Sequence, residues 1–567
     1  MQPPFRAVIF DLDDTLYDCT GSLVASSRRR AAEVLVEEGL DMTVEEALEL
    51  QQELAESYGP HFLVFDEIGR RYNLKQKSLA KAYRAYNSHE VNANIRPFPD
   101  VISTLNTLKD AGIMRLLLTT GHHPRQQTKI KKLGLDDKFD DILINDIDRG
   151  AVMSECLRYL LDKHQLTPSE VMIIGDRPGE EIRHGNELGM TTTQILRGRF
   201  SRAKPRDQFE VPDYRISNIF QVPTILSLAG MGKTPEKLRI VALGGGTGLP
   251  IVLEGCKTYS ENLTAVVAVT DSGRSSGKLR DELGMLAPGD ARNCLVALSE
   301  SGEKERQLNE LFQYRFHNGS LDGMSVGNLI IAAMTDMEGS FEKGIKAVSN
   351  LLNIKGRVLP STITDAHVCA ELEDGTVVES EVNVRALDKP PIKRAFLKPE
   401  KPVALEETLN QIRNADIIVL GPGSLYTSII ANILVPDVRD ALLKTKAHLF
   451  YVCNIMTQPG QTDGYAASDH LQALQQHLGE RKIDCMFLNN AKPDPEIIQR
   501  YREEGAELIT ADESLKKGDI KYVETDLCED IDGPRILWEK QDLLRHQPDK
   551  LGDAICRTYA ELEMSRE

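Results

Sequence analysis

The sequence has no Cys-x-x-Cys pair, a single tryptophan, no surplus of positive charge and no apolar run near the ~20 residues that span a membrane. Its nine cysteines fall at 19, 156, 256, 294, 369, 453, 485, 528 and 556. Scattered through a long chain, they read as reduced thiols, which excludes a disulfide framework and a zinc site. One Trp and 5% aromatics argue against a lectin or a base-stacking platform. Lys and Arg total 68 against 86 Asp and Glu, a net charge of -18, which argues against broad nucleic-acid or anionic-membrane binding. A strand pattern begins at Ala7 and leaves no room for a signal peptide, so a cytoplasmic protein is expected. Hydrophobic residues at 41% are too many for a disordered chain, and 567 residues suggest three or four units of about 150.

The clearest seam lies between 199 and 236, where basic residues (Arg197, Arg199, Arg202, Lys204, Arg206) precede the apolar segment Ile219–Leu228 and Gly230-Met-Gly-Lys-Thr-Pro235. The basic stretch reads as a solvated loop. Ahead of the seam, apolar strands Ala7–Phe10, Arg115–Leu118, Asp141–Ile144 and Val171–Ile174 alternate with helical patterns, the signature of a parallel α/β sheet. Residues 17–92 carry helical periodicity and read as a helical insert. After the seam, strands are expected near 238–243, 264–270, 416–420 and 448–453. The expected division is 1–225, a linker at 226–236, and 237–567.

Asp11-Leu-Asp-Asp-Thr15 follows the first strand, at the carboxyl end where α/β folds bind ligands. Two aspartates two apart on a turn can share a pocket, one carboxylate attacking phosphorus while the other handles the leaving-group proton. Paired anions repel unless a cation intervenes, which implies Mg²⁺. Three further pieces occur in order: Leu116-Leu-Leu-Thr119-Thr-Gly121, the basic Arg149 ahead of a helix, and Ile173-Ile-Gly-Asp176-Arg-Pro-Gly-Glu-Glu181.

Over nearly all of residues 5–225 these pieces resemble the haloacid dehalogenase-like (HAD) hydrolase superfamily, with the insert matching that family's α-helical cap. The resemblance implies hydrolysis of a small phosphorylated metabolite through a phosphoaspartate, with Asp11 as nucleophile, Asp13 as general acid/base, Thr119 as phosphoryl ligand, and Asp11, Asp13, Asp176 and Glu181 around Mg²⁺. Arg149 stands where the family has Lys, and Glu180 or Glu181 where it has Asp. The alternative is a HAD domain that has lost turnover and serves as scaffold or sensor.

In the second half, strand Leu238–Leu243 runs into Gly244-Gly245-Gly246-Thr247-Gly248 and a helical stretch from Leu249. Glycines let backbone approach a phosphate, and a helix N-terminus supplies amide donors. Asp271 ends the next expected strand, near the position of a ribose-binding acid. Neither Gly230-Met-Gly-Lys-Thr234 nor Gly273-Arg-Ser-Ser-Gly-Lys278 completes a Walker P-loop. Further polar clusters hold Ser275 and Ser276, Arg292 and Asn293, Asn328, Gly423 and Ser424, and Asn454. Arg292 and Asn293 have a helix-capping alternative, to which Asp290 is also suited, and Tyr426 reads equally as core.

In this order, over about 237–560, the clusters closely resemble the gluconeogenesis-factor family (YvcK-type), which is related to the 2-phospho-L-lactate transferase CofD. The resemblance implies a large Rossmann-like α/β domain that self-associates and binds a nucleotide or nucleotide sugar such as UDP-N-acetylglucosamine through the residues just named. It also implies a link to cell-wall formation and cell shape during gluconeogenic growth. The alternative is a bifunctional enzyme with a CofD-like transferase half. Asp271-Ser-Gly-Arg274 departs from the family's Asp-Asp-Gly-Gly, and Met324 from its His.

Overall fold

Strands buried on both faces read as unbroken apolar runs, and Ala7-Val-Ile-Phe10 is such a run. In a computed structural model of the chain it forms β1 (Ala7–Phe10), buried throughout. The structure describes residues 5–58, 64–86, 91, 93–150, 152–270, 274–300, 303–529 and 544–566. They divide into two units, Met1–Met231 and Gly232–Glu567.

In the first unit, the helical insert comprises α1 (Ala25–Glu37), α2 (Val44–Tyr58), α3 (Val64–Tyr72) and α4 (Gln76–Tyr86). Ala31 and Ala32 of α1 lie one helical turn before Leu35, and the three bury against Phe65, Ile68, Leu79 and Ala82. The chain leaves and re-enters the core side by side: Tyr17 pairs with Pro97, and Phe98 N donates to Leu16 O at 3.0 Å. The core continues with α5 (Val101–Asp110), β2 (Met114–Gly121), α6 (His123–Lys132), β3 (Asp141–Asp146), α7 (Met153–His164), β4 (Val171–Gly175), α8 (Arg183–Leu188), β5 (Thr191–Ile195), β6 (Tyr214–Ile216) and α9 (Val222–Gly230). The sheet is parallel in the order β3-β2-β1-β4-β5-β6. The order reverses at β1 and β4, so a crevice opens between their carboxyl ends. Helix α9 carries regular structure through residues 226–230 of the expected linker.

In the second unit the strands are β7 (Arg239–Gly244), β8 (Asn262–Val267), β9 (Arg357–Pro360), β10 (His367–Leu372), β11 (Val377–Glu379), β12 (Ile392–Lys398), β13 (Ile417–Leu420), β14 (His448–Val452), β15 (Cys485–Asn489) and β16 (Lys521–Thr525). Seven form a parallel sheet, β16-β15-β14-β13-β7-β8-β9, and three an antiparallel sheet, β11-β10-β12. The large sheet reverses between β7 and β13. Strand β8 ends at Val267, three residues short of the expected Thr270. The helices used below are α10 (Gly248–Cys256), α11 (Arg274–Leu283), α12 (Gly289–Leu298), α13 (Glu303–Gln313) and α14 (Val326–Glu338). The C-terminal helix Pro548–Met564 crosses α10 backbone to backbone: a Cβ on Gly255 would lie 2.0 Å from Pro548 O, and one on Gly552 2.1 Å from Gly255 O.

Candidate functional site

At the crevice of the first unit, Asp11 leaves β1 with its amide donating to Ile174 O of β4 at 2.9 Å. Asp176 leaves β4, and Glu181 folds back over Gly175, where a Cβ would lie 2.4 Å from Glu181 Cγ. Glu181 Oε2 accepts the Arg177 amide at 3.2 Å, and Thr15 Oγ1 donates to Asp11 Oδ2 at 3.2 Å. Burial, then the charges of Glu181 and Asp176, push Asp11 well above the usual carboxylate range. Burial and Glu181 do the same to Asp176, and burial raises Glu181 and Asp14. Arg177 opposes them: burial pulls it down, but Glu181, Asp11 and Asp176 carry it above its ordinary value.

The five carboxylates Asp11, Asp13, Asp14, Asp176 and Glu181 thus face the cations Lys129, Arg177 and Arg199. Asp176 Oδ1 is buried with no hydrogen-bond partner. An orphaned hard oxygen in a cluster short of positive charge is suited to a divalent cation. Among the described residues, no three His, Cys, Asp or Glu side chains already converge as a formed metal site.

Asp13 is held differently. Lys129 Nζ of α6 donates to both its oxygens, at 2.9 and 2.7 Å, and Tyr17 Oη donates to Oδ1 at 2.5 Å. Burial alone would raise Asp13, but Lys129 and Tyr17 bring it below its ordinary value. A depressed carboxyl stabilises the fold above its unfolded pKa, and that share is lost as pH falls below about 3.8 and through the folded value. Lys129→Met should therefore raise the Asp13 pKa and destabilise the first unit by about 3–5 kcal/mol, as expected when one partner of a buried pair is removed. A denaturant titration at pH 7 checks this, and an unchanged midpoint would count against the pairing.

Thr119 is fully buried and accepts from Gln126 Nε2 at 2.6 Å. Arg149 ends a short helical turn after β3, and its side chain lies outside the described residues. Among the described residues, the cation hydrogen-bonded to Asp13 is Lys129, 116 residues away in sequence, which no local pattern announces. The basic stretch is more than a solvated loop. Arg197 is largely buried, with its guanidinium 4.0 Å from the Phe98 ring centroid. It donates to Thr15 O at 3.2 Å, to the Asp100 carboxylate at 3.1 Å and to Ser217 O at 3.0 Å. One side chain therefore grips both linkers of the insert.

At the second crevice, the turn after β7 meets the turn after β13. A Cβ on Gly248 would lie 2.3 Å from Pro422 O, one on Gly245 2.1 Å from Asp290 Oδ2, and one on Gly423 3.4 Å from Gly245 O. Gly246 takes a left-handed conformation at φ 63°. Thr247 precedes α10, and Ser424 precedes the helical turn Leu425–Ile430, neither with a side-chain cap bond. Asn454, after β14, locks Gly423 by accepting its amide and donating to its carbonyl, both at 2.9 Å. Asn293 Nδ2 donates to Gly246 O at 3.2 Å. Arg292 and Asn293 do not cap their own helix, whose N-cap is Pro288. Arg292 instead donates to Ser325 Oγ, the residue that caps α14, and to Asn293 Oδ1 at 2.9 Å. Asn328 and Ser276 are buried; Asp271 and the Ser275 side chain lie outside the described residues. Tyr426 is core, bonded to Tyr465 Oη at 2.7 Å.

The 2-phospho-L-lactate transferase CofD family matches residues 240–528, just over half of the chain. The gluconeogenesis factor of Halalkalibacterium halodurans is 43% identical over 321 residues, 56% of this chain and 96% of that protein. The chain belongs to the gluconeogenesis-factor family. The Bacillus subtilis gluconeogenesis factor is 42% identical over 322 residues and is 98% covered. A solved UPF0052-family structure from Bacillus halodurans is 42% identical, covers 56% of this chain and 99% of its own, and superposes with a TM-score of 0.52. These matches account for the C-terminal unit, while residues 5–189 match the haloacid dehalogenase-like hydrolase family. This gluconeogenesis-factor chain is therefore a fusion with a HAD-like domain, both parts mixed α/β with parallel Rossmann-like sheets.

Proposed function

We propose that the N-terminal unit is a Mg²⁺-dependent phosphohydrolase, and that the C-terminal unit binds a nucleotide sugar such as UDP-N-acetylglucosamine, which ties the protein to carbon metabolism and cell-wall supply. The observation that carries the first half is the placement of Asp11 and Asp176 at the ends of β1 and β4, inside one charge-frustrated crevice. Mg²⁺ bound among Asp11, Asp176 and Glu181 would neutralise their charge and polarise a phosphoryl oxygen.

Asp11 Oδ attacks phosphorus, the ester P–O bond breaks, and the leaving oxygen takes a proton from Asp13. Water then attacks the aspartyl phosphate, its proton passes to Asp13, and the bond to Asp11 breaks with release of phosphate. Paired with Lys129, Asp13 is ionised and poised to accept a proton, the role required in the second step. For the first step Asp13 must have taken up a proton from solvent, which requires its carboxyl to be freed from Lys129. Arg197 keeps the Asp11–Thr15 turn in place through the Thr15 carbonyl.

Hydrolysis of p-nitrophenyl phosphate with Mg²⁺ tests the reading; absence of turnover at any pH between 5 and 9 would defeat it. The acid cluster adds a thermal signature. Carboxyls whose folded pKa is raised cost stability as pH climbs from the unfolded to the folded value, because between the two the native state binds more protons than the unfolded one. Mg²⁺ should therefore raise Tm at pH 7.5 by several degrees, and do so less as pH is lowered and protons compete for the same carboxylates. Differential scanning fluorimetry checks both arms. The same assay with nucleotide sugars tests the C-terminal reading, which rests on the glycine turns meeting at the β7/β13 crevice.

A further inference from the structure

Helix α6 turns one face into the first unit. Gln126 and Lys129 lie three residues apart on that face and are 1% and 4% exposed, although both are long polar side chains. Lys129 is bonded to Asp13. Gln126 Nε2 donates to Thr120 O at 3.0 Å and to Thr119 Oγ1 at 2.6 Å. A backbone carbonyl can only accept, so the first bond fixes which end of the amide faces β2. The second bond makes the Thr119 oxygen an acceptor, and the hydroxyl proton has to point elsewhere. Among the described residues that proton meets no acceptor. The room for the amide is built in: a Cβ on Gly121 would lie 3.1 Å from Gln126 Cδ.

A buried donor without an acceptor costs free energy until one arrives. Phe10 of β1 stands opposite Leu117 of β2, so Thr119 lies one residue beyond the level of Asp11 on the neighbouring strand. An acceptor attached at Asp11 would complete this hydroxyl. We propose that Gln126 is a positioning residue of the first unit: it holds Thr119 as a hydrogen-bond donor towards a phosphoryl group, whose unprotonated oxygens can only accept. The amide touches no substrate and acts through Thr119 alone. This role rests on the phosphohydrolase reading for the identity of the incoming group, and it falls to a residue outside every motif of the sequence.

The test uses the full chain with Mg²⁺, turnover of p-nitrophenyl phosphate, isothermal titration with orthovanadate, and thermal melts. Orthovanadate on a nucleophile resembles the transition state of phosphoryl transfer. Thr119→Val should lower kcat by roughly 10²- to 10³-fold, the range for losing one donor to a developing oxyanion. Gln126→Met, close in shape, should lower kcat roughly 10-fold with KM within about two-fold, and weaken orthovanadate by a similar factor. In the Thr119→Val background the same substitution should change neither, because the group it acts through is gone. Gln126→Glu tests the same role if the methionine variant fails to fold: its carboxyl presents an accepting oxygen to Thr119, turns the hydroxyl proton round and should lower kcat at least as far. A glutamine that only packs would instead lower Tm and cut kcat by an equal factor in both backgrounds. That result, or unchanged kcat and orthovanadate affinity in Gln126→Met, would overturn the role. If wild type binds orthovanadate in a way that depends on Gln126 and Thr119 but hydrolyses no ester, the positioning stands and the phosphohydrolase reading falls. A wild type that does neither overturns both.

Discussion

Asp11→Asn should abolish phosphate-ester hydrolysis, lowering kcat by about 10⁴-fold or more, as loss of a nucleophile does in enzymes that form a covalent intermediate. The same substitution should leave Tm at pH 7.5 unchanged or higher. In the native crevice Asp11 is pushed up by burial and by Glu181 and Asp176, so an uncharged isostere removes repulsion along with reactivity. Few substitutions inactivate an enzyme while relaxing its fold, and the pair of readouts separates a chemical role from a structural one. Steady-state hydrolysis of p-nitrophenyl phosphate and a thermal melt give both. Residual turnover near wild type would remove Asp11 from the mechanism, and a large fall in Tm would mean that its carboxylate holds the crevice together.

Gly255→Val should produce the largest loss of stability, about 4 kcal/mol or more. Overpacking in a core that can relax costs 1–3 kcal/mol, but here the obstacle is the backbone of a second helix. A Cβ at residue 255 would lie 2.0 Å from Pro548 O, and nothing short of moving the whole C-terminal helix relieves that contact. Gly479→Ala is the matched control. It sits at φ 86° in open space, so only the backbone conformation is penalised, at about 1–3 kcal/mol. Urea titrations followed by circular dichroism should show a much lower midpoint for the first and a small shift for the second. Similar midpoints would mean that the two helices do not approach this closely.

Strands with uninterrupted apolar side chains were legible in the sequence. Ala7–Phe10 and Val171–Ile174 lie within the observed strands β1 and β4, and Ile417–Leu420 within the expected 416–420. Strand β5 was not, because Thr191-Thr-Thr-Gln-Ile195 buries hydroxyls and an amide where a reader seeks hydrocarbon. The β10–β12 sheet escaped for a related reason. Strand β12, Ile392-Lys-Arg-Ala-Phe-Leu-Lys398, mixes charged with apolar residues and leaves three of its side chains exposed, and β11 is only three residues long. The acids of the first site announced themselves because a strand ending in Asp-x-Asp is a local pattern. Lys129 and Arg197 did not, since each acts across the fold on a residue more than one hundred positions away. Arg292 was singled out by its neighbours in sequence, but its attachment to the cap of α14 required the tertiary structure.

The pairing of Tyr17 with Pro97, with Arg197 fastened over both linkers, has a further consequence. The closure of the helical insert is completed at its base, before any residue of the insert takes part. Loop-closure entropy grows only slowly with the length enclosed, so a longer, shorter or unrelated segment can be spliced between the same two anchor points at small thermodynamic cost. Asp11 and Asp13 stay on the scaffold side of that junction, and the segment between the anchor points is replaceable. Under the proposed phosphohydrolase reading, grafting foreign segments between residues 18 and 96 should change substrate choice while leaving Asp11 and Asp13 in place.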